Sequence, residues 1–419
     1  MFSASNLTST ASTNPPIPPA AAEAAPSLSP PPEHPIEALS AINELEATKD
    51  YLKKICSVHY SAPASVPSPP GNDLNLQMHC YLAAEVIMKA FRTQMCVLDR
   101  DIYQYHAASK HVTERTGAEA PPKSDGVSKL LSGPGHIVDR SGRIVYIHLP
   151  GVLRPELLSV VEAACRSLLT APNAKPEMKR AASNWRVNES YFQPVGRAGF
   201  TPGVLTLSPC WFMQAHPPPK YKPFVAAAIR RPDGSDGGLP FIKAVRQAFC
   251  IMGALLYLIH PSQYEVGVEL WKKLVETNCA GVEDGFESHM MKVIACWASP
   301  FTVMQVISNR ETPFHFDTSG HPFWYDCLLT VGPYRGGRFE LKDVGHRFRY
   351  ERGTMVFLLS HILQHGASPV EGERVCLASF MRPQVLQWGL SYRALTEDPE
   401  PLAAIEARLN IPHGLRVGV

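Results

Sequence analysis

The sequence lacks a strong charge of either sign, a paired cysteine motif and a long apolar run. Its 40 Lys and Arg residues nearly balance 38 Asp and Glu residues, for a net charge of +2, so a nucleic-acid partner would have to bind a local basic patch. The ten cysteines include no CxxC pair, which disfavours zinc or disulfide frameworks and predicts reduced, mostly buried thiols of an intracellular protein. The longest apolar stretch, residues 249–259, is too short to span a bilayer, and the first residues show no signal-peptide pattern, so we expect neither a membrane span nor secretion.

Proline is abundant, at 39 residues, and about a third of it lies in the first 70 residues. Residues 1–35 are rich in Pro, Ala and Ser with few large apolar side chains, which predicts a disordered tail. Apolar residues in the ranges 36–58 and 74–97 follow helical spacing, and residues 107–135 resemble a loop or linker. We therefore predict a helical accessory region over residues 36–135. Packing support for the main domain is its favoured role, and recruitment of protein partners is the alternative.

The remaining sequence predicts an α+β domain. A strand pattern at 143–149 precedes helix patterns at 153–169, 241–260 and 264–277. From Trp297 onward, short strand patterns alternate with turns that contain Gly and Pro. Helices followed by short strands predict a double-stranded β-helix, or jelly roll, flanked by helices. We place this domain at residues 136–395 and a C-terminal tail at 396–419.

The strongest local signal is a His-x-Asp motif formed by His315 and Asp317. In an extended segment, side chains two residues apart face the same side, so this imidazole and carboxylate can bind one metal ion. A second histidine would complete the 2-His-1-carboxylate triad that leaves coordination positions on iron open. We favour His365 because the following Gly366 permits a close backbone approach, and His361 is the alternative.

Two arginines accompany this motif. Arg374 lies nine residues after His365, and Arg310 lies five residues before His315. A guanidinium group binds a carboxylate through two parallel hydrogen bonds, so these residues suit a dicarboxylate cosubstrate such as 2-oxoglutarate. A zinc hydrolase is the weaker alternative, because it would leave the arginine pair without a purpose.

Three stretches together resemble the fungal branch of the TET/JBP nucleic-acid dioxygenases. They are NRETPFHFD at 309–317, WYDCLLTVGPYRGGRFELKDVGHRFRYERGTMVFLLSHILQHG at 324–366 and EGERVCLASFMR at 371–382. The resemblance covers residues 309–382 well, extends more loosely from about residue 142, and does not cover residues 1–135.

The resemblance implies a double-stranded β-helix that uses Fe(II), 2-oxoglutarate and O2. It also implies that the substrate is DNA with methylated bases, 5-methylcytosine foremost and N6-methyladenine as the alternative, and that the location is nuclear. Enzymes of this kind flip the base out of the duplex. By the same resemblance, the iron ligands are His315, Asp317 and His365, and the cosubstrate contacts are Arg310, Arg374 and the adjoining Asn309.

The substrate contacts are less well defined by the sequence. Relatives place a polar side chain shortly after the metal aspartate, where this chain has Thr318-Ser319-Gly320. Asp326, with its neighbour Tyr325, is a candidate substitute because a carboxylate accepts hydrogen bonds from an exocyclic amine, although a purely structural role fits equally well. Candidate DNA contacts are Arg335 and Arg338, within an Arg- and aromatic-rich segment, and a second segment at 175–197. Oxidation of RNA or protein, and a non-catalytic binding role, remain alternative functions.

Overall fold

The computed structural model describes residues 35–59, 68–69, 73–109, 130–213, 215–342, 344–390, 398–412 and 417–418. The predicted disordered tail, apart from residue 35, and most of the predicted linker lie outside these ranges. All ten cysteines lie within them, and all are free thiols, as predicted.

The helices are numbered along the chain. They are α1 (Pro35–Ala38), α2 (Ser40–Val58), α3 (Leu74–Arg92), α4 (Ile102–Ser109), α5 (Pro155–Leu169), α6 (Gly238–Ile259), α7 (Pro261–Glu276), α8 (Glu287–Ile294), α9 (Pro383–Gly389) and α10 (Leu402–Arg408). Proline occupies the first turn of α5, α7 and α9, where its missing N–H would have had no intrahelical partner. At these three positions proline therefore favours the start of a helix.

The strands are short. They are β1 (Thr93–Val97), β2 (Leu130–Leu131), β3 (Gly135–Val138), β4 (Ile144–Leu149), β5 (Gly203–Leu207), β6 (Val303–Ser308), β7 (Thr312–His315), β8 (Asp326–Val331), β9 (Tyr334–Arg335), β10 (Arg338–Leu341), β11 (His346–Arg349), β12 (Met355–Leu358), β13 (His365–Ala367), β14 (Glu371–Gly372), β15 (Val375–Phe380) and β16 (Val417–Gly418). Branched and aromatic residues dominate the longer ones, as burial on a pleated surface favours.

Two sheets form the jelly roll. The larger has the order β16-β1-β3-β4-β12-β8-β15-β6-β5, and the smaller has the order β2-β11-β10-β13-β7. Between β6 and β15 the chain passes repeatedly from one sheet to the other: β6, β8, β12 and β15 lie in the larger sheet, β7, β10, β11 and β13 lie in the smaller one, and β9 and β14 pair with each other. Tyr146 of the larger sheet packs against Phe348 and Phe339 of the smaller one, with ring centroids 4.5 and 5.8 Å apart, so an aromatic core lies between the sheets. The predicted α+β jelly-roll class is confirmed.

The N-terminal helices are part of the same core. Helix α2 packs on α6, and its Ile42, Leu45 and Leu52 are completely buried. The predicted helix at 74–97 is wrong at its end, because the chain leaves α3 at Arg92 and residues 93–97 form β1, which pairs in parallel with β3. Strand β3 begins at Gly135, so the predicted domain boundary after residue 135 falls inside a strand.

The segment predicted to be a C-terminal tail contributes structured elements. Helix α10 buries Ile405 completely, and β16 pairs in parallel with β1. Helix α6 is long and apolar enough to cross a membrane, but most of its side chains are buried inside the protein, as in the core helix of a globular domain. Residues 31–419 cluster as one unit.

Candidate metal centre

The smaller sheet brings the predicted metal ligands together. Strand β7 ends at His315 and the neighbouring antiparallel strand β13 begins at His365, and these two residues are direct partners in the register. Asp317 follows two residues after His315, and its backbone N–H donates to the carbonyl of Ser360 at 3.1 Å. Because Gly366 has no side chain, its backbone can approach β7 closely: a Cβ there would lie 3.0 Å from the carbonyl oxygen of Thr312.

The three side chains converge on one point. Nε2 of His315 and Nε2 of His365 each lie 3.5 Å from Oδ2 of Asp317, and all three ligand atoms lie within 4.8 Å of one another. Nδ1 of His315 bonds the carbonyl of Pro313 at 2.9 Å, and Nδ1 of His365 bonds that of Leu363 at 3.0 Å. A carbonyl oxygen can only accept a hydrogen bond, so each ring carries a proton on Nδ1 and turns its Nε2 to the common point.

The electrostatics of the centre suit metal binding. Burial lowers the pKa of His315 to about 4, so its imidazole is neutral near pH 7. Burial acts to raise the pKa of Asp317, but neighbouring groups, among them the cationic Arg186, hold it well below its ordinary value. Two imidazoles and one carboxylate are the donor set of the facial triad that binds Fe(II) and leaves open positions. The residues present therefore fit an iron ion.

The competing histidine lies elsewhere. Nδ1 of His361 bonds the carbonyl of Gly320 at 3.0 Å, and its ring packs 5.4 Å from that of His106 on α4. Among the described residues, the cluster of His315, Asp317 and His365 is the one with metal-binding spacing.

Both predicted cosubstrate arginines line the same cavity. The guanidinium of Arg374 is held by the carbonyls of Ser368 and Arg310, at 3.0 and 2.9 Å, and Arg310 donates to the carbonyl of Arg186 at 3.0 Å. Burial and the charge of Arg186 lower the pKa of Arg310 to about 10, which leaves it cationic near pH 7. Two buried cations beside the metal ligands fit an anionic cosubstrate.

Asn309 does not lie on the cavity wall. Its amide donates to the carbonyl of Phe200 at 2.9 Å, and its oxygen accepts from the backbone N–H of Arg374 at 3.2 Å. The predicted cosubstrate contact is therefore corrected: Asn309, with a positive φ of 54°, shapes the backbone that carries the two arginines.

Asp326 is the predicted substrate residue that reaches the cavity. The hydroxyl of Ser360 donates to its carboxyl group, and burial, together with the negative charge of Asp317, raises its pKa to about 7. Ser360 therefore bonds both residues: its carbonyl accepts from the backbone N–H of Asp317, and its hydroxyl donates to the carboxyl group of Asp326.

The other predicted substrate residues lie away from the cavity. Tyr325 is buried, and its hydroxyl donates to the carbonyl of Ile144 in β4. Arg338 pairs with Glu340 at 3.1 Å, and Arg335 is exposed on β9. Glu340 also pairs with Arg347 at 3.3 Å, so the Arg-rich segment is partly neutralised within itself.

Sequence reasoning missed the contact that the segment before β5 makes with the centre. Arg186 binds Asp317, and Trp185 is only 8% exposed, with its ring 4.7 Å from that of His315. The pattern of basic and aromatic residues at 175–197 singled out this segment but suggested DNA contact. Nothing in the sequence indicates that the chain folds back from there onto Asp317.

Part of the chain matches a known oxygenase family, and solved structures of oxygenases resemble it. Residues 208–383 match the Tet_JBP family model, described as the oxygenase domain of the 2OGFeDO superfamily. Among solved structures, NgTET1 in complex with 5mC DNA is 14% identical, with 68% of this chain and 89% of that chain covered and a TM-score of 0.42. A 2OG-Fe(II) oxygenase family oxidoreductase from Burkholderia pseudomallei is 11% identical, with 69% and 93% covered and a TM-score of 0.29. The rice dioxygenase for auxin oxidation is 12% identical, with 58% and 74% covered and a TM-score of 0.27.

No curated protein matches the chain, and the structural similarities are loose, with every score below 0.5. The family model and the triad carry the conclusion. Residues 208–383 match the oxygenase domain of the TET/JBP family, within the 2-oxoglutarate- and Fe(II)-dependent dioxygenase superfamily, and the cofactors of the centre are Fe(II) and 2-oxoglutarate.

Proposed function

We propose that this dioxygenase oxidises methylated bases in DNA, with 5-methylcytosine as the first candidate and N6-methyladenine as the second. The observation that carries the proposal is the position of Asp326. Its carboxyl group lies in the same cavity as His315, Asp317 and His365, close enough to Asp317 for the two carboxyl groups to interact electrostatically. Both bases carry an exocyclic amine, which a carboxylate recognises as a hydrogen-bond donor.

The cavity has the size and character of a base pocket. Its volume is about 540 Å³, and it extends from the metal ligands to Met213, which is 53% exposed. Trp211 lines the part near Met213, with the guanidinium of Arg382 5.3 Å from its ring. An aromatic ring and a cation at the entrance of an enclosed site suit a flipped nucleotide, whose base and phosphate they can contact.

The residues of the site have separable tasks. When bound, Fe(II) and 2-oxoglutarate activate O2 to hydroxylate a C–H bond, with release of succinate and CO2. Arg374 holds the distal carboxylate of 2-oxoglutarate, because its planar guanidinium is already aligned by two backbone carbonyls. Asp326 orients the base through its amine. Apolar walls formed by Leu328, Phe339 and Ala378 limit water in the cavity.

The decisive experiment supplies both bases at once. The purified protein is incubated with Fe(II), ascorbate, 2-oxoglutarate and duplex DNA that contains 5-methylcytosine and N6-methyladenine, and the nucleosides are measured by mass spectrometry. Oxidised or demethylated base that depends on 2-oxoglutarate supports the proposal and identifies the base. Succinate release without base product refutes the DNA substrate and directs the search to RNA or protein side chains.

Asp326→Asn tests the recognition step, with Ser360→Ala as the matched control. A hydrogen bond to a charged group is worth about 1.5–3 kcal/mol, so above pH 7, where Asp326 is ionised, we expect base oxidation in Asp326→Asn to fall at least about tenfold while succinate release continues. Ser360→Ala removes the bond to Asp326 but leaves the carboxylate, and should retain most base oxidation. Equal losses in both variants would mean that Asp326 has only a structural role. Nuclear location and N-terminal protein partners stay predictions.

A further inference from the structure

A segment outside the family match reaches the metal centre. Residues 172–202, which connect α5 to β5, are called the strap here, and they precede the matched residues 208–383. Arg186 of the strap donates from Nη2 to Oδ1 of Asp317 at 2.8 Å. The side chains of Arg186 and Asp317 are 26% and 36% exposed, so this ion pair lies at the edge of the cavity.

The two carboxylate oxygens of Asp317 have different partners. Oδ2 lies 3.5 Å from Nε2 of both histidines and points to the metal position, whereas Oδ1 is bound by Arg186. An aspartate that lacked this bond could rotate about χ2 and exchange its oxygens, because that torsion is broad and nearly two-fold. With Arg186 in place, one orientation of the carboxylate is favoured before any metal binds.

Arg186 is itself held in place by the strap. Its guanidinium lies 4.7 Å from the ring of Trp185, which packs between it, His315 and Arg310. The backbone carbonyl of Arg186 accepts from Arg310 at 3.0 Å. The same short stretch thus contacts two predicted metal ligands, His315 and Asp317, and the predicted cosubstrate residue Arg310.

The strap is anchored on both sides of the centre. The N–H of Gln193 donates to the carbonyl of Asn309 at 2.7 Å, and the N–H of Glu311 donates to that of Tyr191 at 2.9 Å. Near its end, the carboxylate of Glu373 accepts from the N–H groups of Ala198 and Phe200. These bonds tie the strap to the residues that flank Arg310 and Arg374, so the position of Arg186 is fixed by the fold.

We propose that Arg186 is a positioning residue that orients the Asp317 carboxylate for metal binding by this dioxygenase. The proposal does not depend on which base is oxidised. Groups that hydrogen-bond a metal ligand typically contribute about 10- to 100-fold to metal affinity. The positive charge of Arg186 acts in the opposite direction, because it repels an incoming cation. The sign of the measured effect therefore distinguishes positioning from simple electrostatics.

The test is a metal titration of the full-length apo-protein with Co(II), followed by the visible absorption of the bound ion, in the absence of 2-oxoglutarate. We expect Arg186→Ala to bind Co(II) about 10- to 100-fold more weakly than the wild type. Arg186→Gln removes the charge and shortens the side chain, so that its N–H donors no longer reach Asp317, and it should likewise bind Co(II) more weakly than the wild type. Arg180→Ala is the matched control, because Arg180 is on the same strap with a side chain that is 92% exposed, and it should bind as the wild type does.

A second readout separates positioning from misfolding. A partly exposed ion pair stabilises a fold by at most about 1 kcal/mol, so the Tm of each apo-variant should stay close to that of the wild type. Turnover of 2-oxoglutarate should be most impaired at limiting Fe(II) and should recover as Fe(II) approaches saturation. Wild-type or tighter Co(II) affinity in Arg186→Ala or Arg186→Gln, with an unchanged Tm, would overturn the proposal. If Arg186→Ala does not fold, Arg186→Gln decides alone.

Discussion

Replacing Arg374 with lysine tests how the cosubstrate is held. The guanidinium of Arg374 is buried, with 4% exposure, and two of its N–H groups bond the carbonyls of Ser368 and Arg310. These bonds leave the rest of the planar group facing the cavity. Lysine keeps the charge but not the planar fork, so its ammonium group can satisfy either the carbonyls or the cosubstrate, and not all of them.

The magnitude follows from the bonds that lysine cannot make. Loss of one hydrogen bond to a charged group costs about 1.5–3 kcal/mol, which corresponds to an increase of about tenfold to 150-fold in the KM for 2-oxoglutarate. Affinity for the metal should be unchanged, because Arg374 bonds none of the three predicted ligands. The assay is succinate release as a function of 2-oxoglutarate concentration, at saturating Fe(II) and DNA substrate.

A truncated cosubstrate makes this test specific. A 2-oxo acid without the distal carboxylate should be a poor cosubstrate for the wild type, and Arg374→Lys should discriminate against it much less. General damage to the fold would lower turnover with both acids and leave their ratio alone. Arg335→Lys, at an exposed position on β9, is the matched control. A KM within twofold of the wild type, or unchanged discrimination, would refute the assignment of Arg374 as the carboxylate anchor.

Two further predictions concern stability. Leu45 of α2 is completely buried against α6. The contact is close, because a Cβ added to Gly253 of α6 would lie 2.6 Å from Cδ1 of Leu45. Leu45→Ala should therefore lower the free energy of unfolding by about 2–5 kcal/mol in denaturant titrations. Lys54→Ala, at an exposed position of α2, should change it by less than about 0.5 kcal/mol, and equal effects would contradict the assignment of α2 to the core. Burial lowers the pKa of His148 from 6.5 to about 3. Between pH 6.5 and pH 3 the unfolded chain therefore binds a proton that the folded protein does not bind. The free energy of unfolding keeps its full value above pH 6.5 and falls as the pH decreases. Between pH 7 and pH 5 this histidine should account for a loss of about 2 kcal/mol, which His148→Gln should abolish; an equal pH dependence in the variant would show that His148 does not titrate in this way.

Much of the fold was predictable from local patterns. Helices α5, α6 and α7 and strands β4, β6 and β12 follow apolar periodicity and turn residues, because short-range sterics and burial act within a few residues. The predicted end of α3 was wrong, because residues 93–97 form β1. Strand β1 pairs with β3 and with β16, which lies in the segment that we predicted to be a tail, and such pairing between distant segments leaves little trace in either segment.

The metal site, like the fold, was predictable from the sequence only in part. The sequence by itself determined the three ligand types, the His-x-Asp spacing and the arginine after His365, because these follow from the chemistry of iron and of a dicarboxylate. The tertiary structure alone decided that His365 rather than His361 faces His315, that Asn309 shapes the backbone instead of lining the cavity, and that Arg186 binds Asp317. The physical reason is that these outcomes depend on strand register and on a contact between residues 131 positions apart, and both arise from the packing of the whole chain.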